Sequence, residues 1–230
     1  MQINTPIPAE RTSFTPSHCW PFLDLRATAG DLELRYLDDN TLFELAQLAG
    51  SGVHAEYQMP FLVPWTRGNP LQVARSVLAY QWAARAKIAP QHWVLELAVV
   101  FAGVPVGVQA ISADDFAVSR TVDTGSWLGR RYQGAGIGTR MRALALHLAF
   151  DGLGAQAATT AAWQDNFASQ AVTSKLGYQP NGHTTRSREG RPVIDLQYRL
   201  ERATWQAGRE QFGPVDLHGV QPVREFLAVT

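Results

Sequence analysis

Apolar and polar residues alternate through Leu32-Glu33-Leu34-Arg35-Tyr36, the period-two signature of a half-buried strand. Asp38 to Asn40 then supply helix-capping chemistry for a segment with apolar positions at Leu42, Leu45, Ala46 and Leu48, which Gly50 and Gly52 terminate. Met59 to Asn69 mixes prolines and a glycine with Phe61 and Trp65, and predicts an aromatic loop. A helix follows over Leu71 to Lys87, with Pro90 beyond it. Strand-like runs occupy Trp93 to Phe101 and Val104 to Ile111, joined by a tight turn at Ala102-Gly103, and a third runs from Val118 to Leu128. Met141, Leu144, Ala145, Leu148 and Ala149 recur at helical spacing, the clearest amphipathic helix in the chain. Gln156 to Trp163 predicts a buried strand, Phe167 to Leu176 a short helix between Asn166 and Gly177, and Thr184 to Arg188 with Val193 to Leu200 a closing hairpin.

This order of strand, helices, three strands, helix, strand, helix and two strands predicts an α/β (α+β) layer fold without internal repeats. Residues 1–30, rich in Pro, Thr and Ser, read as an irregular extension, 31–202 as the folded domain, and 203–230 as a helix and arm that pack on the domain or on a second subunit. A homodimer is compatible with that arm. At 230 residues the chain is long enough for one full core.

Charge narrows the picture little. Lys plus Arg and Asp plus Glu both number 20, and no block of like charge stands out, so no nucleic-acid or membrane surface is expected and a polyanion would need a local site. Cys19 is the single cysteine, which rules out an intrachain disulfide, and its Pro- and aromatic-rich neighbourhood lacks the context of an activated nucleophile. No apolar run approaches the roughly 20 residues that span a bilayer. The expectation is a soluble cytoplasmic protein without a metal site.

The chemistry gathers at Arg131-Tyr-Gln133-Gly134-Ala135-Gly136-Ile137-Gly138. A strand ends there, glycines let a ligand approach the backbone, a helix begins, and basic residues stand beside the turn, so the segment suits a phosphate. A P-loop needs Gly-Lys-Ser/Thr, but Thr139-Arg140 follows Gly138. The dinucleotide fingerprint needs a third glycine where Thr139 stands, and it belongs after the first strand of a βαβ unit. What remains is Arg/Gln-x-x-Gly-x-Gly/Ala, a coenzyme A pyrophosphate motif.

Ser126 to Met141 resembles motif A of the GNAT acyltransferases, in the branch of the ribosomal-protein alanine and serine N-acetyltransferases. Asp165-Asn166-Phe-Ala-Ser169 and Lys175-Leu-Gly-Tyr178 are similar to that branch's Asn-x-x-Ser and Lys-Leu-Gly-Phe signatures, in the same order. The resemblance implies a mostly antiparallel central sheet flanked by helices and splayed between the strand before the glycine turn and the next one. It implies direct transfer from acetyl-CoA, or another acyl-CoA, to a primary amine on a small metabolite, an antibiotic or a protein N-terminus. Leu128, Arg131, Gln133, Gly134, Ala135, Gly136, Ile137, Gly138, Thr139, Asn166, Ser169 and Lys175 would hold the donor.

Such a transfer needs a neutral amine, a donor to the carbonyl oxygen and a proton for the departing thiolate. Ser169 matches the serine that relatives place near the sulfur, and Tyr178 is the second candidate acid. Asp123 is a candidate base, since alternation puts Asp123, Gly125 and Trp127 on one strand face and Val122, Thr124 and Ser126 on the other. His54 and Glu56, which precede the aromatic loop, are further candidate bases, and with Phe61, Trp65 and Trp127 they are the candidate acceptor-side residues. A succinyl donor would require a basic residue at the acyl pocket, which sequence does not locate. A carrier-bound donor, a non-catalytic coenzyme A sensor and a nucleotide binder are the competing readings.

Overall fold

The computed structural model describes residues 13–229. Its centre is a nine-stranded sheet in the order β7-β8-β6-β5-β4-β3-β2-β1-β9. The strands are β1 (Arg26–Ala29), β2 (Leu32–Tyr36), β3 (His92–Phe101), β4 (Val104–Asp114), β5 (Thr121–Leu128), β6 (Ala157–Trp163), β7 (Gln179–Arg188), β8 (Arg191–Glu201) and β9 (Asp216–His218). The helices are α1 (Pro16–Cys19), α2 (Asp39–Gly50), α3 (Pro70–Ala86), α4 (Phe116–Ser119), α5 (Ile137–His147), α6 (Phe167–Lys175), α7 (Arg202–Gly208) and α8 (Val220–Phe226).

Local chemistry accounts for most boundaries. Asp38 caps α2 through Thr41 N at 2.8 Å, and Asn69 and Gln72 form a reciprocal capping box on α3. Ala102 and Gly103 both adopt positive φ, as do Glu189 and Gly190, which gives β3–β4 and β7–β8 the twisted two-residue turns that suit hairpins. Gly177 ends the α6 segment at φ 86°.

Alternation along β3 divides the core. Trp93, Leu95, Leu97 and Val99 face a layer containing α5, while Ala98 and Val100 face α2 and α3. The centre of the sheet around β3 is therefore buried between two helical layers, while β7 at one edge is exposed. Phe22 and Leu25 from the lead-in, Val223 of α8 and Leu227 just after it complete the α5-side layer.

Three readings change. Residues 13–29 are structured: α1 leads through a short 3-10 turn into β1, which pairs with both β2 and β9. Residues 1–12 of the supposed irregular extension lie outside the described residues. Strand β5 begins at Thr121, because Phe116–Ser119 forms one helical turn between Asp115 and Arg120, both in left-handed backbone. After Arg202 the chain forms α7, a 3-10 turn, β9 and α8, with Phe226 packed on Trp20 and Phe22 at 5.5 and 5.1 Å.

The functional consequence lies between β5 and β6, the parallel pair in a sheet whose other ladders are antiparallel. They pair over Thr121–Asp123 with Ala157–Thr159 and then part. Beyond the fork β5 remains bonded to β4 as far as Leu128, and β6 to β8 as far as Trp163. Each strand is held by its outer neighbour, so the gap is part of the sheet's pairing.

Candidate active site

Threonine hydroxyls cover the backbone where β5–β6 pairing stops. Thr160 Oγ1 donates to Thr124 O at 2.9 Å, and Thr124 Oγ1 donates to Thr159 O at 3.2 Å. Past this step the strands border a cavity of about 1220 Å³. Thr124 to Leu128 form one wall, Thr160 and Ala161 the opposite one, and Gly134, Gly136, Gly138 and Thr139 one end. Asn166, Ser169, Val172 and Lys175 close the α6 side, and Val53, His54, Tyr57 and Phe61 the loop side.

The glycine end has the properties of an anion site. Gly134 and Gly136 stand at φ 78° and 79°, and no side chain caps the start of α5. The helix dipole and first-turn N–H groups are thus left for a ligand. Gln133 Nε2 donates to Val53 O at 2.6 Å and to Leu128 O at 2.9 Å, tying the turn to the end of β5 and to the loop that follows α2.

The charged lining is unequal. Asp165 is bound by both guanidinium N–H groups of Arg188 at 2.7 Å, and Glu189 by Arg67 at 2.7 and 3.0 Å. Those arginines hold both carboxyls below their ordinary range. Arg142, Lys175 and Arg191 also line the cavity and form no ion pair among the described residues. In a chain with no net charge the cavity lining therefore carries more cationic than anionic side chains.

The family model for the acetyltransferase (GNAT) domain matches residues 31–179. The chain belongs to the GNAT acetyltransferase family. The GNAT fold is shared with solved structures at low identity. One is a GCN5-related N-acetyltransferase from Brucella melitensis, at 18% identity and TM-score 0.64, covering 81% of this chain and 83% of that one. Another is RimL, the ribosomal L7/L12 alpha-N-protein acetyltransferase, in complex with coenzyme A, at 20% identity and TM-score 0.60, covering 75% and 95%. The microcin C7 self-immunity acetyltransferase MccE, in complex with acetyl-CoA and AMP, aligns at 16% identity and TM-score 0.57, covering 75% and 93%.

Within this GNAT domain the expected donor residues divide. Leu128, Gln133, Gly134, Gly136, Gly138, Thr139, Asn166, Ser169 and Lys175 line the cavity. Ile137 is buried in the core and anchors α5, Ala135 is exposed at the turn, and Arg131 folds over the Tyr132 ring at 4.9 Å; none of the three lines the cavity. Asn166 accepts from Ser169 N at 3.2 Å as the α6 cap, which fixes the turn carrying Ser169.

The candidate acid and base residues separate further. Ser169 stands in the cavity wall. Tyr178 is buried behind it, its hydroxyl 3.2 Å from Thr124 Oγ1, and burial pushes its pKa up to about 12. Asp123 lies at the closed end of the fork, outside the cavity, where its carboxylate accepts from Thr159 Oγ1 at 3.0 Å. Partial desolvation by its neighbours raises its pKa, opposed by that hydroxyl and by the charge of Arg142, while the residue itself is exposed. The alternation inferred for β5 holds: Thr124 and Ser126 bond to Tyr178 and Arg142 on one side, while Trp127 packs toward α2 on the other.

Of the candidate acceptor-side residues, His54 lines the cavity with Nδ1 2.8 Å from Ala55 O and Nε2 2.7 Å from Thr66 Oγ1. A carbonyl can only accept, so Nδ1 donates to Ala55 O, and Nε2 faces the Thr66 hydroxyl. Glu56 is exposed and outside the lining, and its carbonyl accepts from Arg67 at 2.6 Å. Phe61 and Trp127 line the cavity, and Trp65 stands behind them, 4.9 Å from Phe61 and 5.7 Å from Trp127. Sequence reasoning missed Arg142, Arg188 and Arg191. Arg142 carried one signal, a charge beside the apolar stripe of α5.

Proposed function

We propose that this protein is an acyl-CoA-dependent N-acyltransferase that passes an acyl group directly from the thioester to a primary amine. One observation carries the reading: a single cation-rich cavity joins an uncapped glycine-lined helix start to the β5–β6 fork. The two ends suit the two ends of coenzyme A, a pyrophosphate and a thiol on an extended amide-containing arm. Backbone groups freed where β5 and β6 part would pair with that arm, and Gly134 to Thr139 would bind the pyrophosphate.

In this arrangement the acyl carbonyl sits at the fork. The amine enters from the side bounded by His54, Phe61 and Trp127, and its nitrogen attacks the carbonyl carbon while the carbon–sulfur bond breaks. Ser169 is the residue we assign to protonating the leaving thiolate, because its hydroxyl is bonded to no described residue and its helical turn is fixed by Asn166. We assign the base role to His54 Nε2, which takes the amine proton through Thr66 or after displacing it. Asp123 is the weaker base assignment, since Thr159 holds it outside the cavity.

A thiol-release screen of an amine library, covering small metabolites, antibiotics and N-terminal peptides, tests the reading with acetyl-CoA and succinyl-CoA as donors. Amine-stimulated release from one donor is the expected result. Coenzyme A binding with no stimulated release from any amine would favour a sensor, and tight ATP binding with none for coenzyme A would overturn the donor assignment.

A further inference from the structure

The guanidinium of Arg142 is an unexplained charge. The residue is 5% exposed, yet it contributes to the cavity wall beside Thr124, Ser126 and Thr160. Its Nη1 donates to Thr173 Oγ1 at 3.0 Å and its Nη2 approaches Ser126 Oγ at 3.4 Å. The buried Nε has no hydrogen-bond partner, and no carboxylate among the described residues pairs with the side chain. Burial opposes the charged form and lowers its pKa, but an arginine remains protonated at working pH.

Arg142 hydrogen-bonds only to neutral hydroxyls; the Asp123 carboxyl acts on its charge without pairing with it, so a buried cation remains open to a directly bound anion. The position of Arg142 separates it from the pyrophosphate end. It lies on the second turn of α5, counted from Gly136, and its side chain reaches Ser126 on β5 and Thr173 on α6. That is the fork end, where the acyl group rather than the phosphates would lie. The other unpaired cations of the cavity, Lys175 and Arg191, are exposed and can meet solvent or the outer phosphates. A methyl-terminated acyl group would seek an apolar end wall, but here the fork presents the Thr124, Ser126 and Thr160 side chains together with a cation.

Resting on the coenzyme A reading above, we propose that the acyl pocket is built for a short acyl chain ending in a carboxylate, which Arg142 binds. The donor class is then the monothioester of a dicarboxylic acid. The transferred carbonyl forms a bond to the amine nitrogen as its bond to sulfur breaks, Ser169 protonates the thiolate, the amine proton taken at His54 is returned to Ser169 through solvent, and the distal carboxylate stays ionised against Arg142 throughout. No further reactant is required.

The test is calorimetric titration of the full chain with succinyl-CoA and butyryl-CoA, which match in chain length and differ in the terminal carboxylate, with free coenzyme A as a third ligand. Succinyl-CoA should bind about 10- to 100-fold tighter than butyryl-CoA, the range of one charge-assisted hydrogen-bond pair. R142M, similar in volume but uncharged, should bring that ratio close to one, and R142K should restore part of it. Thermal melting and coenzyme A titration establish whether each variant is folded. Butyryl-CoA binding as tightly as succinyl-CoA to the wild-type chain overturns the proposal even if neither variant folds. Failure of all three ligands to bind would instead overturn the coenzyme A reading itself.

Discussion

Substituting Gly134 separates what the glycine turn does for folding from what it does for a ligand. Gly134 stands at φ 78°, and a Cβ built on it meets no protein atom within 4 Å. Gly134→Val therefore carries a backbone penalty without a clash in the free protein. That penalty is about 1–2 kcal/mol for left-handed backbone, a little more for a β-branched side chain. In a chain of this length it lowers Tm by roughly 2–8 °C. Ligand binding should suffer far more, because the valine occupies the space through which a pyrophosphate reaches the N–H groups. Each charged hydrogen bond lost is worth ~1.5–3 kcal/mol, so losing two weakens coenzyme A binding by about 10²- to 10⁴-fold. Calorimetry with coenzyme A and with pantetheine, which lacks the pyrophosphate, gives the comparison. The variant should lose affinity for the first much more than for the second. A Kd for coenzyme A within about threefold of wild type, in a folded variant, would refute the role assigned to this turn.

Other outcomes follow from the same geometry. Ser169→Ala keeps the N–H that Asn166 caps and the carbonyl that accepts from Thr173, so its effect should fall on chemistry, lowering kcat by about 10- to 10⁴-fold with little change in donor KM. Glu96 accepts from Tyr80 and Gln81 beneath α3, and burial raises its carboxyl pKa. The folded state then holds a proton that the unfolded state has released between the ordinary carboxylate pKa and the raised one, so stability falls as pH rises through that window. Glu96→Gln should accordingly gain Tm relative to wild type at pH 8 compared with pH 4, and an equal difference at both pH values would count against it. Glu189→Ala removes the Arg67 partner that joins the aromatic loop to the β7–β8 turn. Hydrogen exchange should quicken over residues 54–67 while Tm drops by less than about 3 °C, as suits an exposed pair.

Local patterns carried a large share of this molecule. The apolar spacing of α5, the Asp38 and Asn166 caps and the Gly103 and Gly190 turns each act within a few residues, so they can be read along the chain. The glycine turn and the order of its flanking elements were legible for the same reason. Strand β1 was not, because Arg26-Ala-Thr-Ala29 has no strong alternation and owes its state to β2 on one side and to β9, nearly the whole chain away, on the other.

The site shows the same division. Ser169, Gln133 and the glycines could be placed from their neighbours in sequence, and the structure brings them to one cavity. Asp123 was chosen from alternation along its strand and Glu56 from its place before the aromatic loop, and both fell outside the cavity, since Thr159 holds the Asp123 carboxylate and the backbone around Glu56 turns its side chain to the surface. Arg142 reads along α5 as a charge at the margin of an apolar stripe, where solvent is the default. Its burial is decided by Thr173 on α6 and Ser126 on β5, two elements that approach only when the sheet parts at the fork. The sequence by itself determined the helix periods, the caps and the glycine turn at the start of α5, because each depends on neighbours within a helical turn or a hairpin. Tertiary structure alone decided where β5 and β6 separate and which charge is stranded beside the gap, because strand pairing and desolvation depend on residues far apart along the chain.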